Sequence, residues 1–317
     1  MSNFWSAWII AGSLIVIFGC AYLLRMVIVD TMGEEGKEMS HKFDGIVEMN
    51  NPLPRWWTIM FVVSIIWGLG YFIVFGLGSY QGIIGWKSAN KQVYSLADSK
   101  AQNAASRANN ELVQYVNELD TADAVYGKTY AKYAAMSVDE LMQDEEALKV
   151  GQRLFIQNCA QCHGSDARGQ RGFPNLTDND WLFGGSFDKI KETINDGRIS
   201  TGMIAWKDAL GGDEAVKDVV TYVRSLSGRS VNTKDAAAGK LKFGLCAGCH
   251  GIDGKGNQAL GAPNLTDNIW LYGGSTAAIT DSVAKGRAGV MPPWRDILGE
   301  DKVHVLSAYV YSLSNKK

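Results

Sequence analysis

Cys159-Ala160-Gln161-Cys162-His163 is the stretch on which the reading of this chain turns, because it returns as Cys246-Ala247-Gly248-Cys249-His250, 87 residues later. Working outward, Pro174-Asn175-Leu176-Thr177-Asp178-Asn179 recurs as Pro263-Asn264-Leu265-Thr266-Asp267-Asn268 at an offset of 89. Trp181-Leu182 and Gly184-Gly185-Ser186 come back as Trp270-Leu271 and Gly273-Gly274-Ser275, and Met203 aligns with Met291 at an offset of 88. The closing segments, 219–228 and 306–315, share a Tyr-Val-x-Ser-Leu-Ser pattern. Offsets this constant describe one domain of about 88 residues present twice in tandem. Two copies are too few for a solenoid, so paired globular domains are expected over 145–229 and 230–317.

Each copy reads as helical. Asp144 is placed to cap a helix carrying Gly151, Phe155 and Cys159, and its counterpart holds Gly239, Phe243 and Cys246. Positions 216, 219, 220, 223 and 226 form an apolar stripe of helical period. Glycine-rich loops lie between, with no alternating strand pattern, so the expected class is all-α.

Cys-x-x-Cys-His is the attachment pattern of a c-type haem. Two thiols one helical turn apart can add across the two vinyl groups of one haem edge, which brings the next residue, His163 or His250, beneath the iron as proximal ligand. A zinc site would want its Cys pairs ~15–20 residues apart, whereas 83 residues separate these. A thioredoxin-like redox pair would want a βαβ setting, which the pattern lacks.

For the sixth coordination position the chain offers four histidines in all, His41, His163, His250 and His304. His41 falls between the two apolar segments described below. His304 aligns with Lys217 and is expected at the surface, so bis-histidine ligation is disfavoured. Met203 and Met291 lie 40 and 41 residues beyond His163 and His250, at equivalent repeat positions. A thioether filling a core gap is the other use of such residues, but ligation of His163 and His250 irons by these methionines would give closed, electron-passing sites. Arg198 and Arg287 are candidates for haem propionates or for solvated surface charge. Trp181 and Trp270 read as core, and Cys20 as an inert thiol.

The front of the chain is of another kind. No charged side chain occurs before Arg25, and 56–86 is a second charge-free stretch. Each exceeds the ~20 residues that span hydrocarbon as a helix, giving expected spans at about 7–29 and 56–84 in a membrane hairpin over 1–86. The first lacks a basic leader and a small-residue cleavage site, so it reads as an uncleaved span rather than a signal peptide. Trp5, Trp8, Trp56, Trp57, Tyr80 and Trp86 are placed to mark the interfaces. Arg25, Lys37, Lys42 and Arg55 favour a cytoplasmic loop, although Lys87 and Lys91 weaken that vote. Residues 87–144 lack chemistry and read as a helical connector, with Ser137-Val138-Asp139-Glu140 as a capping box. Over the whole 317 residues a net charge of −2 excludes a nucleic-acid-binding protein. Five cysteines exclude a disulfide mini-domain, and 46% hydrophobic composition excludes a disordered tail.

The tandem domains, covering about 145–317, resemble class I cytochrome c. Together with Asp44-Gly45-Ile46-Val47-Glu48-Met49-Asn50-Asn51-Pro52-Leu53-Pro54-Arg55-Trp56-Trp57 leading into the second span, they resemble the dihaem CcoP/FixP subunit of cbb3-type cytochrome c oxidase. The resemblance covers roughly 43–317. Many members have one anchor, so the first apolar helix departs from the common pattern.

That resemblance implies two covalent haem c groups, one on Cys159 and Cys162, the other on Cys246 and Cys249. It implies His163 and His250 as proximal ligands, Met203 and Met291 as distal ones, and Pro174 and Pro263 as carbonyl acceptors for the proximal rings. It leaves open, with a lean toward exchange, whether each methionine serves the haem of the other domain. Implied partners are a catalytic haem-copper subunit, a monohaem cytochrome c subunit, a soluble cytochrome c donor and membrane lipid. Haem c is attached outside the bacterial cytoplasmic membrane, so the haem domains and, with two spans, the N-terminus are expected in the periplasm. The expected role is passing electrons toward O2 reduction coupled to proton transport, with no oxygen-reducing site in the chain itself. The rivals are the cytochrome subunit of another periplasmic dehydrogenase and a dihaem peroxidase, which would need one iron that can open.

Overall fold

A computed structural model describes residues 3–29, 36–51, 54–85, 93–199 and 202–315. Trp86, Lys87, Lys91, Pro52 and Leu53, all used above, lie outside the described residues. The chain divides into two compact units, 1–124 and 125–317, the division falling inside one helix.

In the first unit, α1 (Asn3–Val29) and α2 (Arg55–Phe75) are the two apolar helices, each with a mean hydropathy of 2.2. At ~1.5 Å per residue, 21 residues of α2 reach about the ~30 Å of a hydrocarbon core. Most of their side chains are exposed, and α2 buries none, as suits helices whose solvent is lipid. The second helix is shorter than the charge-free stretch. It stops at Gly76, whose φ of 93° and crowding against Tyr80 admit no side chain, and the chain folds back so that Ile83 N bonds Ile73 O. Ser79 N donates to Ser6 Oγ at 2.6 Å, pinning this turn to the start of α1.

Between the helices, β1 (Glu38–Phe43) and β2 (Ile46–Met49) pair as an antiparallel hairpin, which the sequence reading did not anticipate. Its turn is Asp44-Gly45 with φ of 48° and 82°, the doubly left-handed pair of a two-residue hairpin. The connector is helical but broken. α3 (Leu96–Ala108), capped by Ser95, ends before Asn110, whose φ is 51°, and α4 (Gln114–Ala134) follows.

After the end of α4 the second unit continues with α5 (Val138–Gln143), whose Ser137–Glu140 capping box is complete, and α6 (Glu145–Asn158), capped by Asp144. After α6 come α7 (Ala160–His163), α8 (Phe187–Asp196), the two-residue β3 (Arg198–Ile199), α9 (Lys207–Leu210) and α10 (Asp213–Leu226). The second repeat supplies α11 (Thr233–Lys242), α12 (Gly244–His250), α13 (Thr276–Lys285), β4 (Val290–Met291), α14 (Arg295–Leu298) and α15 (Glu300–Asn315). Helix dominates, and among the described residues the sheets are two minor pairs.

The repeats and the cores divide the chain differently. One core gathers Leu154 and Phe155 of α6, Ala167, Ile190 and Ile194 of α8, and Val303, Leu306, Tyr309 and Val310 of α15. The other gathers Val216, Val219, Val220 and Val223 of α10, Phe243, Cys246 and Leu265, and Ile279 and Val283 of α13. Lobe 2 is thus built from the contiguous run 203–286, inserted between the two parts of lobe 1. Gly151 and Gly239 explain their recurrence. A Cβ on Gly151 would strike Tyr309 and Val305 of α15, and one on Gly239 would strike Asp218 and Tyr222 of α10. Each glycine therefore admits a helix from the other repeat.

At the junction β3 pairs with β4, Arg198 opposite Met291 and Ile199 opposite Val290, and a bridge joins Met203 to Arg287. Gly197 (φ 68°) lies against the backbone of Met291, and Gly286 (φ 76°) against that of Met203, leaving no room for a side chain at either.

Candidate functional site

Each motif closes a helix so that its histidine is buried and its second cysteine exposed. His163 ends α7 and His250 ends α12, each followed by a glycine of positive φ that turns the chain away. The His163 Nδ1–H donates to Pro174 O at 3.0 Å, and that of His250 to Pro263 O at 3.0 Å. These bonds fix the tautomer and leave Nε2 with a free lone pair, the arrangement a metal-ligating imidazole needs. Burial holds both rings below the ordinary histidine range, the proline carbonyls acting against it, which favours the neutral imidazole.

Cys162 and Cys249 are exposed, Cys159 is half-buried and Cys246 buried, and none of the four is in a disulfide. Burial pushes the Cys159 thiol up to about 11, with a smaller push from Cys162. Cys246 is raised in the same way by burial and then by Cys249. The alignment of the two repeats therefore extends to their electrostatics.

The methionines do not stay with their own repeat. Met291 and Cys159 both pack against the core that includes Phe155, and Met203 packs against the core that contains Cys246. Trp294 N bonds Ile194 O, and Trp206 N bonds Val283 O, both at 2.9 Å, so the segment following each methionine is stitched to α8 or α13 of the same lobe.

A covalent haem fits this donor set. Two thiols one turn apart, an oriented neutral imidazole and a thioether in the same core are the groups it requires. The buried Trp270 Nε1–H and Arg224 Nε–H of lobe 2 have no protein acceptor, as donors reserved for an anionic edge would. Trp181 and Trp270 pack against the two cores.

Two expectations change. Arg198 and Arg287 are part-buried rather than solvated. Arg198 bonds Thr193 and Glu192 and lies over Phe183, while Arg287 bonds Ser282 and lies over Tyr272. His304 is not a surface residue. Its Nε2–H donates to Met136 O at 2.9 Å, its Nδ1 accepts from Lys191 Nζ at 3.3 Å, and its ring meets Phe187 edge-on. His41 lies on β1 and bonds Glu48 at 2.9 Å.

Two sequence families match the chain. Residues 35–81 match the family described as the N-terminal domain of cytochrome oxidase-cbb3, FixP. Residues 146–223 and 236–310 each match the family described as cytochrome c oxidase, cbb3-type, subunit III. The cbb3-type cytochrome c oxidase subunit CcoP of Rubrivivax gelatinosus is 40% identical over 99% of this chain and 97% of its own length. The chain belongs to the CcoP/FixP family of cbb3-type oxidase subunits. The FixP of Bradyrhizobium diazoefficiens is 41% identical over 87% of this chain and 94% of its own length. The CcoP of Cereibacter sphaeroides is 35% identical over 86% and 93%. The Rubrivivax match extends over nearly all of the chain, α1 included. With the family come two covalently bound haem c groups, an electron-transfer role in the oxidase complex and anchoring by the two apolar helices.

Proposed function

We propose that this subunit accepts electrons from a soluble periplasmic cytochrome c and passes them toward the catalytic haem-copper subunit, with a monohaem cytochrome c subunit beside it. The haem lobes and the N-terminus then face the periplasm, and both apolar helices cross the cytoplasmic membrane. When bound, the two haem c groups supply the one-electron carriers of this path. Cys159 and Cys162 hold one group and Cys246 and Cys249 the other. His163 and His250 are the proximal ligands, their rings set by Pro174 and Pro263. Met291 serves the His163 site and Met203 the His250 site, an exchange between repeats supported by the core each methionine packs against. Closed Met/His pairs favour electron passage over oxygen or peroxide chemistry, and that pairing inside two lobes tethered to an apolar hairpin carries the reading. The electron flow so supported feeds O2 reduction and its coupled proton transport in the partner subunits.

Deleting the chain from otherwise intact membranes should abolish electron flow from cytochrome c to oxygen, and unchanged flow would sink the proposal. For the exchange, Met291→Leu should collapse the potential of the haem on Cys159 and Cys162. A collapse at the haem on Cys246 and Cys249 instead would assign each methionine to its own repeat.

A further inference from the structure

The two motif helices are sequence equivalents with different surfaces. α11 runs into α12 through Phe243, whose φ of −61° and ψ of −17° are helical. Leu241, Leu245 and Cys249 therefore recur every fourth residue and share one face. All three are exposed, as are Gly244, Gly248 and, just past the helix, Ile252. Leu241 is 87% exposed and Ile252 90%. A Cβ on Gly244 or Gly248 would meet nothing within 4 Å, so the patch is shallow and open to close backbone approach. Around the first motif the equivalent positions are Arg153, Gln157, Asn158, Gln161 and Ser165, with Ile156 as an exposed aliphatic neighbour. Clustered exposed aliphatic side chains mark an interaction site, and here they surround one attachment cysteine and not its twin.

We propose that this face of lobe 2 is where a soluble electron-carrier protein docks, one whose own cofactor edge opens onto an apolar face ringed by carboxylates. The inference rests on the electron-acceptance reading above and adds which lobe receives the donor. Three observations select the occupant. The patch is centred on Cys249, the cysteine that holds the second carrier, so a protein seated there lies against that carrier. It comprises a few aliphatic side chains, the scale of the transient electron-transfer encounters that bury less than ~1,200 Å2. Lys240 flanks it in the chain and is exposed, so a carboxylate at the partner's rim meets an opposite charge there that steers association, while Lys242 and Lys255 are paired with Asp218 and Asp253.

The test uses the complete oxidase in detergent and an acidic monohaem cytochrome c as probe, reduced for kinetics and zinc-substituted for binding. The double variant Leu245→Asn and Ile252→Ser installs the residues found at the equivalent lobe 1 positions. It should lower both the second-order rate of electron uptake and the affinity for the zinc-substituted probe by about tenfold or more. Haem content and both midpoint potentials should match the unaltered complex, and Ile156→Ser should leave the affinity unchanged. Unaltered affinity and rate in the double variant would overturn the docking site. So would loss of the other oxidase subunits on purification, which would make the face a subunit interface. If the unaltered oxidase takes no electrons from the cytochrome while ascorbate with a small mediator still drives it, the electron-acceptance reading itself fails.

Discussion

Lobe 1 and lobe 2 come from one repeated sequence and are held together in different ways. Lobe 2 is a single run of chain, closed by α10 lying on the α11 that follows it. Lobe 1 is closed by α15, which arrives after the whole of lobe 2. It is then buttressed by a third cluster in which Tyr133, Leu141 and Ala147 cover Val305 and Ala308 on the outer side of α15. Among the described residues α10 has no such cluster: the counterparts of Val305 and Ala308 are the polar, half-buried Asp218 and Thr221, and Lys217, the counterpart of His304, is exposed. A repeat thus specifies which kinds of segment pack together, while the surroundings decide how much each copy depends on distant parts of the chain.

The largest effect should come from ending the chain after Leu298. Removing α15 deletes Val303, Leu306, Tyr309 and Val310 from the first core, so lobe 1 should unfold while lobe 2 persists. Limited proteolysis should then leave a resistant haem-bearing fragment containing Cys246–His250 and none containing Cys159–His163. The reverse pattern would undo the comparison. Next, Leu141→Ala should cost about 2–5 kcal/mol, because the side chain is fully buried between the connector and lobe 1. Thermal unfolding followed at each haem should show the loss in lobe 1 alone.

A smaller loss, about 1–3 kcal/mol, is expected for His304→Ala, which leaves Met136 O and Lys191 without their partner. It too should appear only in the melting of lobe 1. The smallest effect concerns Asp180, whose carboxyl is raised above the ordinary range by burial, then by Asp267 of the other repeat and by Asp178. A raised carboxyl favours the protonated fold. Its contribution is present below the unfolded pKa and is lost as pH rises through the folded one. Asp180→Asn should therefore stabilise the protein slightly at neutral pH and not at acid pH, and equal melting shifts at both would refute this.

Much of this was legible in advance. The motifs, their histidines, the caps at Ser137 and Asp144 and the two apolar helices follow from local patterns, and local geometry enforces them, while the acceptor prolines came from the family resemblance. The pairing of halves was not readable, because Met203 and Met291 stand at nearly equal distances from their histidines and such spacing permits either partner. His304 was misplaced because its counterpart Lys217 sits on α10, which the connector does not cover. The β1–β2 hairpin escaped notice because Glu38, His41 and Lys42 read as loop, although Asp44-Gly45 was the available signal. The second helix was drawn too long because an absence of charge says nothing of where glycines turn the chain.

The insertion of lobe 2 within lobe 1 also sets a timetable for a chain made from its N-terminus. The first motif is delivered early, yet the helix that closes around it is among the last segments to emerge. Lobe 2 has all of its parts once residue 286 is out, whereas lobe 1 must wait for residue 310 and beyond. On the proposed attachment sites, Cys159 and Cys162 therefore stay on an open segment for longer than Cys246 and Cys249, and α15 acts as the clasp of lobe 1.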